Sequence, residues 1–400
     1  MTPLTAPFKL ERYFAQSEFS VRYLLCSADC ESRSIQDLLD LEVGAEERFR
    51  QLWLGYTETL GAPALRQEIS NLYTTLRPEE IIVHAGAEEA IFLFMQAVLQ
   101  PGNHVIVHWP CYQSHAEVAR SLGCTISAWT GHEEHGWMLD LDDLRRLVRP
   151  ETRAIVLSSP HNPTGFLMAP ETLRAVVRLT EEKGIWLFSD EVYRECEYDP
   201  AQRLPAAADL GERAVSLGTV SKTYGLAGLR IGWLAAHDAD LRARIAALKD
   251  YTSICSSAPS EFLAEVALRQ RQALIERNLV IIRRNLVLLD EFFARHSRRF
   301  GWTRPQAGPV AFPRLLGEAV DAFCDRLVRQ AGVLLLPGTV FDDTGNHFRL
   351  GFGRANLPEA LEALEAFLAK DNRTDVGQWK KSDYHRGSET WRHGEKGTRR

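Results

Sequence analysis

The sequence predicts an α/β protein: a mostly parallel sheet with helices on both faces, joined to a smaller α+β domain drawn from both termini. Three observations predict it. Short apolar runs at 104–109, 153–157, 185–188, 214–217 and 231–235 alternate with longer amphipathic stretches. Short, largely apolar runs of that length read as strands buried on both faces, as in a parallel sheet. After about residue 297 the alternation gives way to a different pattern of strands and helices. The chain of 400 residues also exceeds what one small core can organise.

Taken in order, residues 88–99, 117–122 and 170–182 have the spacing of helices that cross between the strands. Residues 261–295 form one amphipathic stretch, expected as a single long helix running from the large domain to the small one. Residues 310–315, 333–336 and 347–352 are expected as strands of a separate sheet, with helices at 318–330 and 357–369. The first forty or so residues fall outside the alternation and are expected to pack with the C-terminal part. The boundaries are therefore 45–290 for the large domain and 1–44 with 291–370 for the small one. Residues 371–400 are polar and nearly free of aliphatics, so disorder is expected there.

The composition is 45% hydrophobic and 25% charged, with a net charge of −6, which recommends no nucleic-acid surface. Seven cysteines are scattered without pairing motifs and read as reduced thiols. Cys26 and Cys30 lack a second ligand pair, and His132 and His135 lack the spacing of a metal-binding helix, so no metal is expected. No signal segment and no membrane-length apolar run is visible. The cytoplasm is the expected location, with no membrane partner.

The chemistry-bearing motifs follow the strands. Lys222 is the second residue of Ser221-Lys222-Thr223-Tyr224-Gly225-Leu226-Ala227-Gly228-Leu229-Arg230-Ile231-Gly232, between an apolar run and a Gly-rich turn. That arrangement suits a lysine presented to a carbonyl cofactor, with a cation nearby for a phosphate. Asp190, at the end of another run, would point into the usual ligand crevice of such sheets. Asn162 lies in His161-Asn162-Pro163-Thr164-Gly165, which alone is also an ordinary turn. Gly86 precedes an apolar helix, where backbone can approach an anion and the first free N–H groups can hold it. Tyr112 follows Trp109-Pro110-Cys111 after another run, where a core tyrosine is one reading. Arg349 sits inside the apolar strand Phe348-Arg349-Leu350. Buried there, its charge requires a partner, for which an internal acid would serve.

In this order, from about residue 30 to 370, the motifs closely resemble class I/II aminotransferases, enzymes of fold type I that depend on pyridoxal 5'-phosphate. The resemblance implies a catalytic set of Lys222, Asp190 and Tyr112. Lys222 is the Schiff-base lysine that removes the α-proton, Asp190 pairs with the pyridine nitrogen, and Tyr112 stacks on the ring. Asn162 and Tyr193 reach the phenolic oxygen. Gly86, Ala87, Glu88, Thr219, Ser221 and Arg230 form the phosphate cup. Ala85 and Ala87 stand where the family often has a hydroxyl, so backbone donors carry more of the binding. Tyr56 resembles the tyrosine that reaches the partner subunit's phosphate, which implies a homodimer with shared active sites. Arg349, with Asn162, grips the α-carboxylate of a small-molecule amino-acid substrate.

The expected reaction is transamination to a 2-oxo acid. The N-terminal segment and residues 249–261 also resemble pyridoxal-phosphate enzymes that act on arginine or hydroxyarginine. Capreomycidine synthase is of that subgroup; it expels a side-chain hydroxyl and closes a guanidine ring. Glu18 and Asp29 would suit a guanidinium there, or are solvated charges or helix caps. A cofactor-binding regulator would need an N-terminal DNA-binding unit with a basic face, and residues 1–44 are too short and too acidic for one.

Overall fold

The structure is a computed structural model and describes residues 5–375. Its centre is a seven-stranded sheet of β1 (Ile81–His84), β2 (His104–Trp109), β3 (Thr125–Thr130), β4 (Thr152–Ser158), β5 (Trp186–Asp190), β6 (Ala214–Thr219) and β7 (Gly232–Ala235). The spatial order is β1-β7-β6-β5-β4-β2-β3. Only β7 runs antiparallel to its neighbours; the other pairings are parallel. Strands β5 and β6 are buried along their whole length. Both faces are covered, which is why their sequences show no polar alternation.

The helices that position the site are α1 (Lys9–Ser17), α2 (Ala87–Val98), α3 (Ser114–Ser121), α4 (Pro170–Lys183), α5 (Ala258–Arg269), α6 (Arg271–Arg295), α7 (Val320–Ala331) and α8 (Leu357–Asp375). Helix α2 packs Phe94 on Phe188 of β5, ring centroids 4.6 Å apart. Helix α4 begins with Pro170 and ends on Gly184 in the left-handed region (φ 64°), the residue types such ends favour.

The expected single helix over 261–295 is two. The chain breaks at Gln270 (φ −101°, ψ 18°). Leu263 and Val266 of α5 share a core with Leu65 and Ile69. Leu286, Phe292 and Phe293 of α6 instead join Phe323, Phe348 and Phe367. Leu274, Ile275 and Leu279 at the start of α6 stay with the first core, so the passage from one core to the other falls within α6 and not at the break. The expected strand over 310–315 also divides, at Pro313. Val310–Ala311 pairs with Leu350 and Gly351, whereas Arg314–Leu315 pairs with Phe300 and Gly301. Proline has no N–H to continue one ladder. Residues 333–336 divide as well. Val333–Leu334 pairs in parallel with Tyr23–Leu24, and Leu336–Pro337 pairs with Phe348 and Arg349. The N-terminal segment is thereby tied to the C-terminal region. Of the polar tail expected from residue 371, the first five residues continue α8 to Asp375. The remainder lies outside the described residues. No helix among the described residues is long and apolar enough to cross a membrane.

Candidate active site

A cleft of about 350 Å³ opens at the C-terminal ends of β4, β5 and β6 and is roofed by α1 and the segment around Asp29. Asn162, Asp190, Thr219, Ser221 and Lys222 reach it from the strand ends. Tyr112, Ala87 and Glu88 enter from the α2–α3 side, Arg230 from the turn after Lys222, and Arg349 from the C-terminal region. Most residues singled out from sequence thus converge on one space. Ligand crevices in open α/β sheets lie at these strand ends.

One corner suits an anion. Gly86 has φ 90° and offers no side-chain cap to α2. A Cβ at Gly86 would stand 2.4 Å from Nη2 of Arg230. Glycine therefore lets the guanidinium lie against the start of the helix, where free N–H groups and the helix dipole favour negative charge. Ser221 N–H donates to Thr219 Oγ1 (3.1 Å), and that hydroxyl donates to the Ile231 carbonyl (2.7 Å). The Ser221 hydroxyl lies 3.0 Å from Thr219 Oγ1.

Deeper in, Asp190 ends β5. Its Oδ1 accepts from Val192 N–H (3.1 Å), and Oδ2 lies 3.0 Å from Nε2 of His115. His115 stands edge-on to Tyr112, ring centroids 5.8 Å apart. Sequence reasoning missed His115. Its signal was its place three residues after Tyr112, in the first turn of α3. Burial pushes the Tyr112 hydroxyl well above its ordinary pKa, with the Glu88 carboxylate adding to the effect. Burial likewise raises Glu88, against a hydrogen bond from the Ser114 hydroxyl. Tyr193 is placed differently from expectation. It is buried, and its hydroxyl donates to the Ala28 carbonyl (2.8 Å), tying the roof to the sheet, and it does not line the cleft. Tyr56 is 85% exposed and outside the cleft.

Burial lowers the pKa of Lys222, helped by Arg349 and Arg230 and opposed by Asp29 and Asp190. An amine held below its ordinary value is closer to the free-base form that attacks carbonyls and accepts protons.

Arg349 is 2% exposed. Nε and Nη2 donate to the Cys26 carbonyl (3.2 and 3.0 Å), and Nη1 donates to Asn162 Oδ1 (3.1 Å). These bonds use three of five N–H donors, leaving one on each terminal nitrogen. No ion pair joins Arg349 to an acid among the described residues. Asp29 needs a correction. It lines the cleft, but Arg354 grips it through both oxygens (3.2 and 3.0 Å), so it is not free to read a substrate. Arg354, missed in the sequence, is the reason. Glu18 lines the cleft together with Glu11, also missed, and burial and Glu11 raise its pKa.

Comparisons with known proteins match this geometry. The pattern of the family described as aminotransferase class I and II covers residues 34–364. Capreomycidine synthase of Streptomyces vinaceus is 29% identical over 369 residues, 91% of this chain and 94% of that protein. Arginine–pyruvate transaminase of Pseudomonas aeruginosa is 30% identical over 330 residues, 79% of this chain and 82% of that protein. Among solved structures, a pyridoxal-phosphate-dependent aminotransferase from Streptococcus suis superposes with a TM-score of 0.86 at 31% identity, over 92% of this chain and 99% of that one. Pyridoxal phosphate fits the cleft's chemistry: an anion corner made possible by Gly86, a buried carboxylate at Asp190 and a depressed lysine at Lys222.

Proposed function

The chain belongs to the class I and II aminotransferase family, and on that premise we propose how its own residues run a pyridoxal-phosphate-dependent transamination of an α-amino acid. The convergence of Lys222, Asp190 and Arg349 on one cleft carries the reading. The bound cofactor supplies an electron sink for the pair left behind when an α-proton departs. The α2 N-terminus, Thr219, Ser221 and Arg230 hold the phosphate. Asp190, steadied by His115, holds a proton at the pyridine nitrogen. Tyr112 would pack against the ring and Asn162 would serve its phenolic oxygen, both lining the cleft. Arg349 orients the substrate by its α-carboxylate through the two donors left free. Lys222 would hold the cofactor and, as a free amine, would move the α-proton.

The finer substrate reading is a basic side chain. It is supported by Glu18 and Glu11 at the cleft mouth, with no ion pair to either among the described residues, while Arg354 is occupied by Asp29. The resemblance to capreomycidine synthase over most of its length favours a second reading, loss of a side-chain hydroxyl from a hydroxyarginine followed by guanidine ring closure.

A homodimer with shared sites is also proposed. Trp53, Leu54, Tyr56, Tyr251 and Ile254 are exposed hydrophobics on two segments joined by the Thr57 hydroxyl donating to the Ser256 carbonyl (3.1 Å). Such a patch suits burial by a second copy. We divide the chain into a cofactor-carrying part, 45–290, and a closing part from 1–44 and 291–370. The scattered spacing of the seven cysteines, without pairing motifs, supports a reducing compartment such as the cytoplasm.

The test is to load the protein with pyridoxal phosphate and offer single amino acids carrying an isotope-labelled amino group, with pyruvate as acceptor. Labelled alanine, formed fastest from arginine-like donors, is expected. Dehydrated cyclic product from hydroxyarginine without labelled alanine would favour the second reading. No product from any amino acid would overturn both.

A further inference from the structure

Lys222 sits on a loop, and the loop's anchorage is unusual. The hydroxyl of Thr223 lies within hydrogen-bonding distance of two carbonyls, Val192 (3.2 Å) and Arg194 (2.9 Å). Asn278 of α6 donates to the Thr223 carbonyl (2.9 Å). The hydroxyl of Tyr224 donates to Oε2 of Glu195 at 2.8 Å. Glu195 is itself fixed, since its Oε1 accepts from Nη1 of Arg203 (3.2 Å). Both Tyr224 and Glu195 are buried. Glu195 also has φ 75°, a left-handed backbone that a glutamate adopts at a cost. The turn that holds it starts from Asp190, whose Oδ1 accepts from Val192 N–H.

We propose that Glu195 and Tyr224 are positioning residues, a strap that fastens the Lys222 loop to the turn following Asp190 and so keeps amine and carboxylate in register. Neither residue lines the cleft, so each acts through another group. The strained Glu195 backbone aims its carboxylate at Tyr224, which a relaxed turn would not require. Misplacement by a fraction of an ångström suffices to slow proton transfer. The proposal rests on the assignment of Lys222 as the working amine.

Two readouts separate positioning from mere stability. The first uses cofactor-free protein: the pH dependence of Lys222 acylation by an amine-selective reagent, quantified by peptide mapping. The groups facing Lys222 are Asp29, Asp190, Arg230 and Arg349, and burial sets the direction of its shift. Releasing the loop admits water, so Tyr224→Phe should move the labelling midpoint upward, toward an ordinary lysine. The second readout is turnover of the loaded enzyme. Tyr224→Phe should lower kcat about tenfold, about 1.4 kcal/mol of barrier, with KM within about twofold. Glu195→Ala, which keeps Tyr224, should reproduce both effects. Glu195→Gln keeps an acceptor and should restore most of kcat. A labelling midpoint and kcat that stay at wild-type values in Tyr224→Phe and Glu195→Ala, whatever happens to Tm, would overturn the proposal. Labelling needs no turnover, so an enzyme that transferred no amino group would sink the reaction assigned above while leaving the strap decided by the first readout.

Discussion

Arg349→Ala tests whether the buried guanidinium serves substrate or fold. In the free protein three of its donors are used by the Cys26 carbonyl and by Asn162. The two that remain are on adjacent nitrogens, the spacing of a carboxylate's oxygens. Truncating one partner of a buried, hydrogen-bonded charge pair costs about 2–5 kcal/mol. At about 1.4 kcal/mol per decade, KM for the amino acid should rise by roughly 30-fold to several thousandfold. Pyridoxal phosphate binding should change little, because the phosphate corner is built from other residues. Tm should fall moderately, by about 1–3 kcal/mol of stability for the buried Cys26 and Asn162 acceptors left without donors, with no partner charge stranded among the described residues. A structural salt bridge would behave differently, because breaking one costs about 3–5 kcal/mol of folding stability. Arg349→Lys keeps the charge but loses the fork, so its KM should lie between wild type and Ala. The assay is steady-state kinetics with the amino acid varied, beside a cofactor titration and a melting curve. An unchanged KM with a steep loss of Tm would refute the reasoning.

Three further outcomes follow from the same geometry. Asp190→Ala should retain some cofactor but lose turnover by orders of magnitude, and His115→Phe should lose less, since His115 acts through Asp190; near-normal kcat in Asp190→Ala would remove it from the mechanism. Glu18→Gln should weaken arginine-like substrates while sparing alanine-sized ones, by up to the roughly 1.5–3 kcal/mol of one charged hydrogen bond. Because burial and Glu11 raise the Glu18 pKa, its carboxylate takes up a proton sooner as pH falls. The preference should therefore be full at neutral pH and fade at a higher pH than an ordinary exposed carboxylate would give; a pH-independent preference argues against Glu18. Mixing inactive Lys222→Ala with inactive Tyr56→Ala should restore part of the activity through hybrid dimers, and no recovery after proven subunit exchange would mean that each subunit builds its own site.

Much of this was legible because the chemistry sits where strands end. Strands β2, β4, β5, β6 and β7 carry short, largely apolar runs, and Asn162, Asp190 and Lys222 come just after three of those runs. What escaped had physical reasons. Strand β1 pairs only with β7, far along the chain, so no adjacent run marked it. Strand β3 is a half-exposed edge strand rich in Thr and Ser. The break at Gln270 lies inside a stretch whose apolar residues serve one core on both sides of it, so the hydrophobic pattern does not mark it. Asp29 looked available because the arginine that holds it lies 325 residues away. Tyr193 looked aimed at the cleft because nothing local shows the Ala28 carbonyl 165 residues earlier.

The central claim is that Lys222 is the lysine that holds the cofactor. The most direct measurement is borohydride reduction of the pyridoxal-phosphate-loaded protein, followed by proteolysis and peptide mapping. The account predicts one labelled peptide, containing Ser221-Lys222-Thr223, and loss of that label in Lys222→Ala. Label on another lysine, such as the buried Lys249, or its persistence in Lys222→Ala, would contradict it.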